Sequence, residues 1–220
     1  MKLWDKNNSV NEKIIEFTVG DDRLNDLYLI KYDVKASISH AKMLYRSNLL
    51  SEIECDKIIN ILNEILSQAE AGELKIEKEF EDMHSKIEYI LTDKLGDIGK
   101  KIHTARSRND QVLVSIQLYL IDELNFIKAE VKSLFDLLIN LAKKNKNIIM
   151  PGYTHMRAAM PSSFGLWFSA YAEILIDDVI SLNSTIEIIN QNTLGSAAGY
   201  GTSFNIDRDF TTNDLNFKTL

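Results

Sequence analysis

The sequence is poor in residues that break or staple a chain. A single cysteine, Cys55, excludes an intramolecular disulfide and a C-x-x-C zinc site. The two prolines, Pro151 and Pro161, bracket one short segment, and three of the nine glycines cluster at Gly195, Gly199 and Gly201. No stretch reaches the roughly 18 apolar residues of a membrane span. The polar start MKLWDKNNSV lacks the apolar run of a signal peptide. No Lys/Arg-rich block occurs and the net charge is −7, which speaks against nucleic acid as the main partner but not against an anionic substrate. A cytoplasmic protein with no membrane partner is expected.

What is present is helical periodicity. Leu27, Ile30, Val34, Ile38, Ala41 and Tyr45 recur at three and four, predicting a helix over 22–46. Ser51 opens a capping box with Glu54, and Ile58, Ile61, Leu62, Ile65, Leu66 and Ala69 supply the apolar face of the helix that follows. Gly72 suits its stop. A further helix is predicted over 83–95, a turn over 96–99, and a small β element near Leu74–Ile76. From Asn109 to Lys144 nothing interrupts the pattern, giving a rod roughly 50 Å long. A second long helix is expected from Ser162 to Asn192. Such helices need partners to bury their apolar faces, and without them exposed area favours association. The fold class is all-α: an N-terminal helical domain over 1–105, then the first long helices of a bundle over 106–220.

Three of the four histidines lie in dense polar clusters. Glu81–His84 (EDMH) precedes the third helix. His103–Asp110 (HTARSRND) precedes the longest one and packs Thr104, Arg106, Ser107, Arg108, Asn109 and Asp110 together. Free N–H groups at a helix start and two guanidinium forks favour a carboxylate there. Ser107, Asn109 or Asp110 also suit simple helix capping. Thr154 and His155 lie in the proline-bracketed segment, where His155 suits general acid/base work or the two residues merely stabilise a turn. The glycine-rich Leu194–Thr202 is not a P-loop, since no Lys-Ser/Thr follows the glycines; it is a tight helix connection or a backbone wall of a pocket. No H-E-x-x-H occurs and Cys55 has no nearby His, so metal ligation is not indicated.

These segments, in order along nearly the whole chain, resemble the argininosuccinate lyases of the aspartase/fumarase superfamily. HTARSRNDQV resembles that family's H-T-G-R-S-R-N-D-Q-V, and MPGYTHMRAAMP its M-P-G-Y-T-H-L-Q-x-A-x-P. Glu81–His84 resembles E-D-x-H, Ile38–Leu44 the early S-I-A-H-A-x-M-L, and Leu194–Arg208 the loop L-G-S-x-A that runs on to I-D-R. The resemblance implies an all-α subunit, a homotetramer joined through long helices, and cleavage of argininosuccinate to arginine and fumarate with no metal or organic cofactor. It implies that His155 is catalytic and that Ser107, Arg108, Asn109 and Thr154 contact substrate. Asp82, His84, His103, Thr104 and Arg106 would line the pocket edge.

The superfamily's base is a serine on a loop resembling G-S-S-x-M-P-x-K-x-N, which residues 1–220 do not contain. The chain therefore reads as the N-terminal half of such an enzyme, inactive by itself. Ala105 stands where the family has Gly, Thr193 and Asn205 where it has Pro, and Arg157 where it has Gln. The family's W-G-G-R-F element is missing at the N-terminus, where Asn8 and Ser9 are substrate candidates by position alone. The R-S-R-N-D run argues against the alternative of another fumarate-releasing lyase such as adenylosuccinate lyase. A different class, a catalytically silent relative like the lens crystallins, keeps most of the same motifs.

Overall fold

The computed structural model describes residues 12–220; Asn8, Ser9 and the altered N-terminal element lie outside them. Helix α1 (Glu12–Val19) is followed by α2 (Asp22–Arg46), α3 (Glu52–Glu70), α4 (Met83–Leu95) and the short α5 (Asp97–Lys100). A 3-10 turn at Lys101–His103 leads to α6 (Arg108–Asn145). Strands β1 (Ile149–Thr154) and β2 (Arg157–Ser163), α7 (Phe164–Ile189) and α8 (Arg208–Asp214) complete the order. The all-α class holds, with one two-stranded sheet added. Among the described residues no helix is long and apolar enough to cross a membrane.

The chain forms two compact units. One comprises the described residues up to Tyr119 together with 190–220. Its apolar core lies among α2, α3 and α4: Ile30, Val34 and Leu44 meet Ile58, Leu62 and Ile65, and Met83, Ile87 and Leu91 close it. The ends of the predicted α2 stripe do not join it, since Leu27 and Tyr45 stay exposed. Both halves of the α3 capping box form: the Ser51 hydroxyl accepts from Glu54 N and the Glu54 carboxylate accepts from Ser51 N at 3.0 Å. The segment around Leu74–Ile76 is not a strand. Among the described residues no strand lies beside it, and Leu74 enters the core from an irregular loop.

The other unit comprises residues 120–189: most of α6, the hairpin and α7. Its hairpin is the main departure from the sequence expectation, which began a helix at Ser162. Ser162 and Ser163 instead pair with Met150 and Ile149. The helix starts one residue later, capped by the Ser163 hydroxyl, which accepts from Leu166 N at 3.1 Å. Gly165 lets the start of α7 approach the end of α6, since a Cβ there would stand 2.6 Å from Lys146 Cα. Apolar side chains remain exposed along both helices, among them Phe126, Leu134 and Leu137 on α6 and Leu166, Ile174 and Ile180 on α7.

In the first unit α4 and α5 pack backbone against backbone, since a Cβ on Gly99, which is buried, would collide with the Leu91 carbonyl. Gly99→Ala must push the two helices apart, and overpacking of this kind costs about 1–3 kcal/mol or more. Urea unfolding of the variant is expected to show a lower midpoint with an unchanged slope.

Candidate active site

The R-S-R-N-D turn is built by helix capping, and its polar groups then serve two purposes. The turn at Thr104–Arg106 closes through a bond from Arg106 N to His103 O at 3.2 Å. This places Ala105 at φ +58°, in the left-handed region where a Cβ is strained. Ser107 then occupies the cap position of α6. Its hydroxyl accepts from Asn109 N at 3.3 Å, and its own N–H donates to Asp110 Oδ1 at 2.9 Å. The other Asp110 oxygen accepts from Gly195 N at 3.0 Å and Ala197 N at 2.9 Å. The fully buried Asp110 therefore holds the glycine-rich loop against the start of α6. Thr193 adds a hydroxyl bond to Gln117 Oε1 at 3.1 Å, a further tie between the loop and α6.

Asp82 caps α4, accepting from Ser85 N at 2.7 Å, while Asp26 of α2 accepts from Met83 N at 2.8 Å. The E-D-M-H segment is thereby fixed to α2. Arg108 lies beside it, with Nε 3.6 Å from Asp82 and Nη1 3.7 Å from Glu88, both beyond hydrogen-bond range. Among the described residues its guanidinium makes one hydrogen bond, from Nη1 to Gln111 Oε1 at 3.2 Å. Nε and Nη2 are shielded from water and have no hydrogen-bond partner. Those two groups form one fork edge of the guanidinium, the geometry that takes a carboxylate bidentately. Asn109 is exposed and Ser107 half-buried next to it.

Beneath this turn lies a buried polar layer that the sequence reading did not assemble. Asp33 on α2 has zero exposure. It accepts from Gln111 Nε2 at 3.0 and 3.2 Å and from the Ser115 hydroxyl at 3.3 Å, and stands 3.1 Å from His84 Nδ1. The His84 ring lies close against the carboxylate without a formed hydrogen bond. Burial pushes the Asp33 carboxyl up, but His84, Arg106 and Gln111 together outweigh it and hold the group below the usual carboxylate range. Arg106, also buried, donates to Ser37 Oγ at 2.9 Å. Glu88 receives His103 Nδ1 at 3.1 Å, and this bond with the Arg108 charge lowers its carboxyl against the effect of burial. A signal for this layer existed: Asp33, Ser37 and His40 recur at four and three on α2, as His84 and Glu88 do on α4 and Gln111 and Ser115 on α6.

The structure thus gathers Asp82, His84, Thr104, Arg106, Ser107, Arg108 and Asn109 around one helix start, with His103 at its exposed edge. Thr154 and His155 belong to the other unit, at the tip of the hairpin, both exposed. Thr154 pairs with Arg157, leaving His155 and Met156 as a two-residue turn with φ of +49° and +61°. Such a turn normally takes Asn-Gly. Two non-glycine residues in the left-handed region carry strain of the kind that accumulates at functional sites.

Two predictions come from this turn and its floor. Ala105→Gly relieves the positive φ and should stabilise the protein by about 1 kcal/mol, read as a raised urea midpoint. His40 donates from Nε2 to Thr104 O at 2.9 Å. Burial, then the nearby Arg106 and His103 charges, push its pKa down from 6.5 to about 3. The unfolded chain therefore takes up a proton at His40 well above the pH at which the folded chain does. Stability should be complete above pH 6.5 and fall by up to about 1.4 kcal/mol per pH unit below it. Between about pH 6.5 and 5.5, above the pH at which the Asp33 and Glu88 carboxyls begin to take up protons in the unfolded chain, His40→Gln should flatten that slope in urea titrations.

Residues 14–220 match the lyase family. Over 219 residues the chain is 52% identical to the argininosuccinate lyase of Phocaeicola vulgatus and 47% identical to that of Thermotoga neapolitana, covering all of this chain in both cases. It spans about half the length of these curated relatives, 49% and 55%. Among solved structures, an EDDS lyase variant with bound fumarate superposes with a TM-score of 0.80 at 24% identity, covering 98% of this chain and 42% of that one. A fumarate lyase:delta crystallin from Brucella melitensis bound to cobalt gives 0.76 at 17% identity, covering 94% and 50%. The structural likenesses speak for the fold, and the match over nearly the whole sequence for descent: the chain belongs to the lyase family.

Proposed function

We propose that this chain is part of an argininosuccinate lyase, which eliminates fumarate from argininosuccinate and releases arginine. The observation that carries this reading is an intact R-S-R-N-D turn whose guanidinium edge makes no hydrogen bond among the described residues, in a chain similar over its whole length to argininosuccinate lyases. In the elimination, a base removes the proton on the carbon next to a carboxylate, and the electron pair moves onto that carboxylate. The C–N bond then breaks and the leaving guanidino nitrogen receives a proton. Catalysis needs donors aimed at the carboxylate where charge collects. Arg108, Ser107 and Asn109 supply them.

Thr154 hydrogen-bonds substrate in this reading. His155, exposed on its strained turn, takes or gives a proton or orients the group that does so. Asp82, His84, His103, Thr104 and Arg106 hold the pocket edge. The exposed apolar faces of α6 and α7 support a homotetramer assembled through long helices. The family's division into domains at residues 105/106 and a cytoplasmic location belong to the same reading.

The test uses the full-length protein encoded with this segment, assayed for fumarate release from argininosuccinate. Sequencing the DNA beyond the Leu220 codon should find the loop that carries the serine. Arg108→Met and His155→Asn should each lower kcat/KM by about a hundredfold or more while the protein stays folded. A folded wild-type protein that releases no fumarate would overturn the reading in favour of a non-catalytic relative.

A further inference from the structure

Asp33 lies one layer below the substrate-facing turn, yet it touches the one group that holds Arg108. Gln111 is fully buried, and both ends of its amide are used. Nε2 donates to the Asp33 carboxylate, and Oε1 accepts from Arg108 Nη1. An amide flips easily between two orientations of nearly equal shape, and its partners decide which one is adopted. A carboxylate accepts only. Asp33 therefore requires the NH2 end of Gln111 to face it, and the oxygen is left to face Arg108.

We propose that Asp33 is a positioning residue for the carboxylate site, which sets the direction of the Gln111 amide and through it the orientation of the Arg108 guanidinium. The inference rests on the reading of Arg108 as a substrate-carboxylate ligand. If Asp33 became a side chain that can also donate, the amide could turn its NH2 group towards Nη1, donor against donor. Arg108 would then lose its hydrogen bond to Gln111 and swing towards Asp82 and Glu88, which already lie 3.6 and 3.7 Å away. The free fork edge would no longer point where a substrate carboxylate meets it. The Ser115 hydroxyl also donates to the Asp33 carboxylate and helps to hold it in place.

The experiment measures fumarate binding, as the inhibition constant and by calorimetry, in full-length protein carrying Arg108→Met, Asp33→Asn, Gln111→Leu, and Gln111→Leu combined with Arg108→Met. Asp33→Asn and Gln111→Leu should each weaken fumarate by about tenfold and raise KM more than they lower kcat. In the Arg108→Met background, Gln111→Leu should cause no further loss, because its effect runs through Arg108. A merely structural role would give additive losses, and that result overturns the relay. So does wild-type fumarate affinity in folded Asp33→Asn or Gln111→Leu protein when Arg108→Met binds it weakly. Should Asp33→Asn fail to fold, the Gln111 and Arg108 cycle decides alone. If Arg108→Met itself binds fumarate normally, the assignment of Arg108 falls, and the relay with it.

Discussion

A carboxylate with no exposure to water holds the first unit together. Asp33 has partners from three directions: Gln111 and Ser115 on α6, His84 on α4, and the charge of Arg106 in the turn between those helices. A charge in that position is tolerable only when its lone pairs are met, and removing one partner of such a group typically costs about 3–5 kcal/mol. The apolar core of α2, α3 and α4 supplies the bulk of the burial but is indifferent to small slips along a helix. The directed bonds to Asp33 are not. They specify the register of α2 against α6, while Asp26, accepting from Met83 N, fixes the start of α4 to α2, and together these bring the E-D-M-H and R-S-R-N-D segments side by side.

Asp110 extends the same logic to the far end of the sequence. One oxygen completes the cap of α6 and the other gathers two backbone N–H groups from the glycine-rich loop, more than eighty residues away. The capping reading and the anion-site reading of this turn are therefore not rivals. The Ser107 hydroxyl and Asp110 carboxylate shape the helix start, and the shape leaves the Nε/Nη2 edge of Arg108 without a hydrogen bond among the described residues. Backbone strain marks both candidate segments, at Ala105 in the turn and at His155 and Met156 on the hairpin. At Ala105 a glycine would carry none of it, so the strain there reflects this sequence and not the geometry of the turn.

The second unit is simpler in its chemistry and more demanding in its surface. Its helices expose apolar side chains of a size that a lone helix pair cannot cover. The hairpin at one end presents Thr154 and His155 outward with no buried support of their own. Both features fit the proposed multisubunit lyase, in which other parts of the protein complete what this segment begins.

Periodicity and punctuation in the sequence determined the long helices, the α3 capping box and the all-α class, because these depend on neighbours within a few residues. The strained φ at Ala105 was also legible there, from one alanine in a position where the family has glycine. The hairpin was not. The prolines marked a turn around Thr154 and His155, but the strands exist through pairing with each other and not through alternation within either one. Nor was Asp33 legible as a member of the site. Its spacing with Ser37 and His40 marked a polar stripe on α2, but a stripe does not name its partners. Only the packing of α2 against α4 and α6 decides whether a buried carboxylate meets donors or water. That packing turned an ordinary acidic residue into the anchor of the turn that carries Arg108.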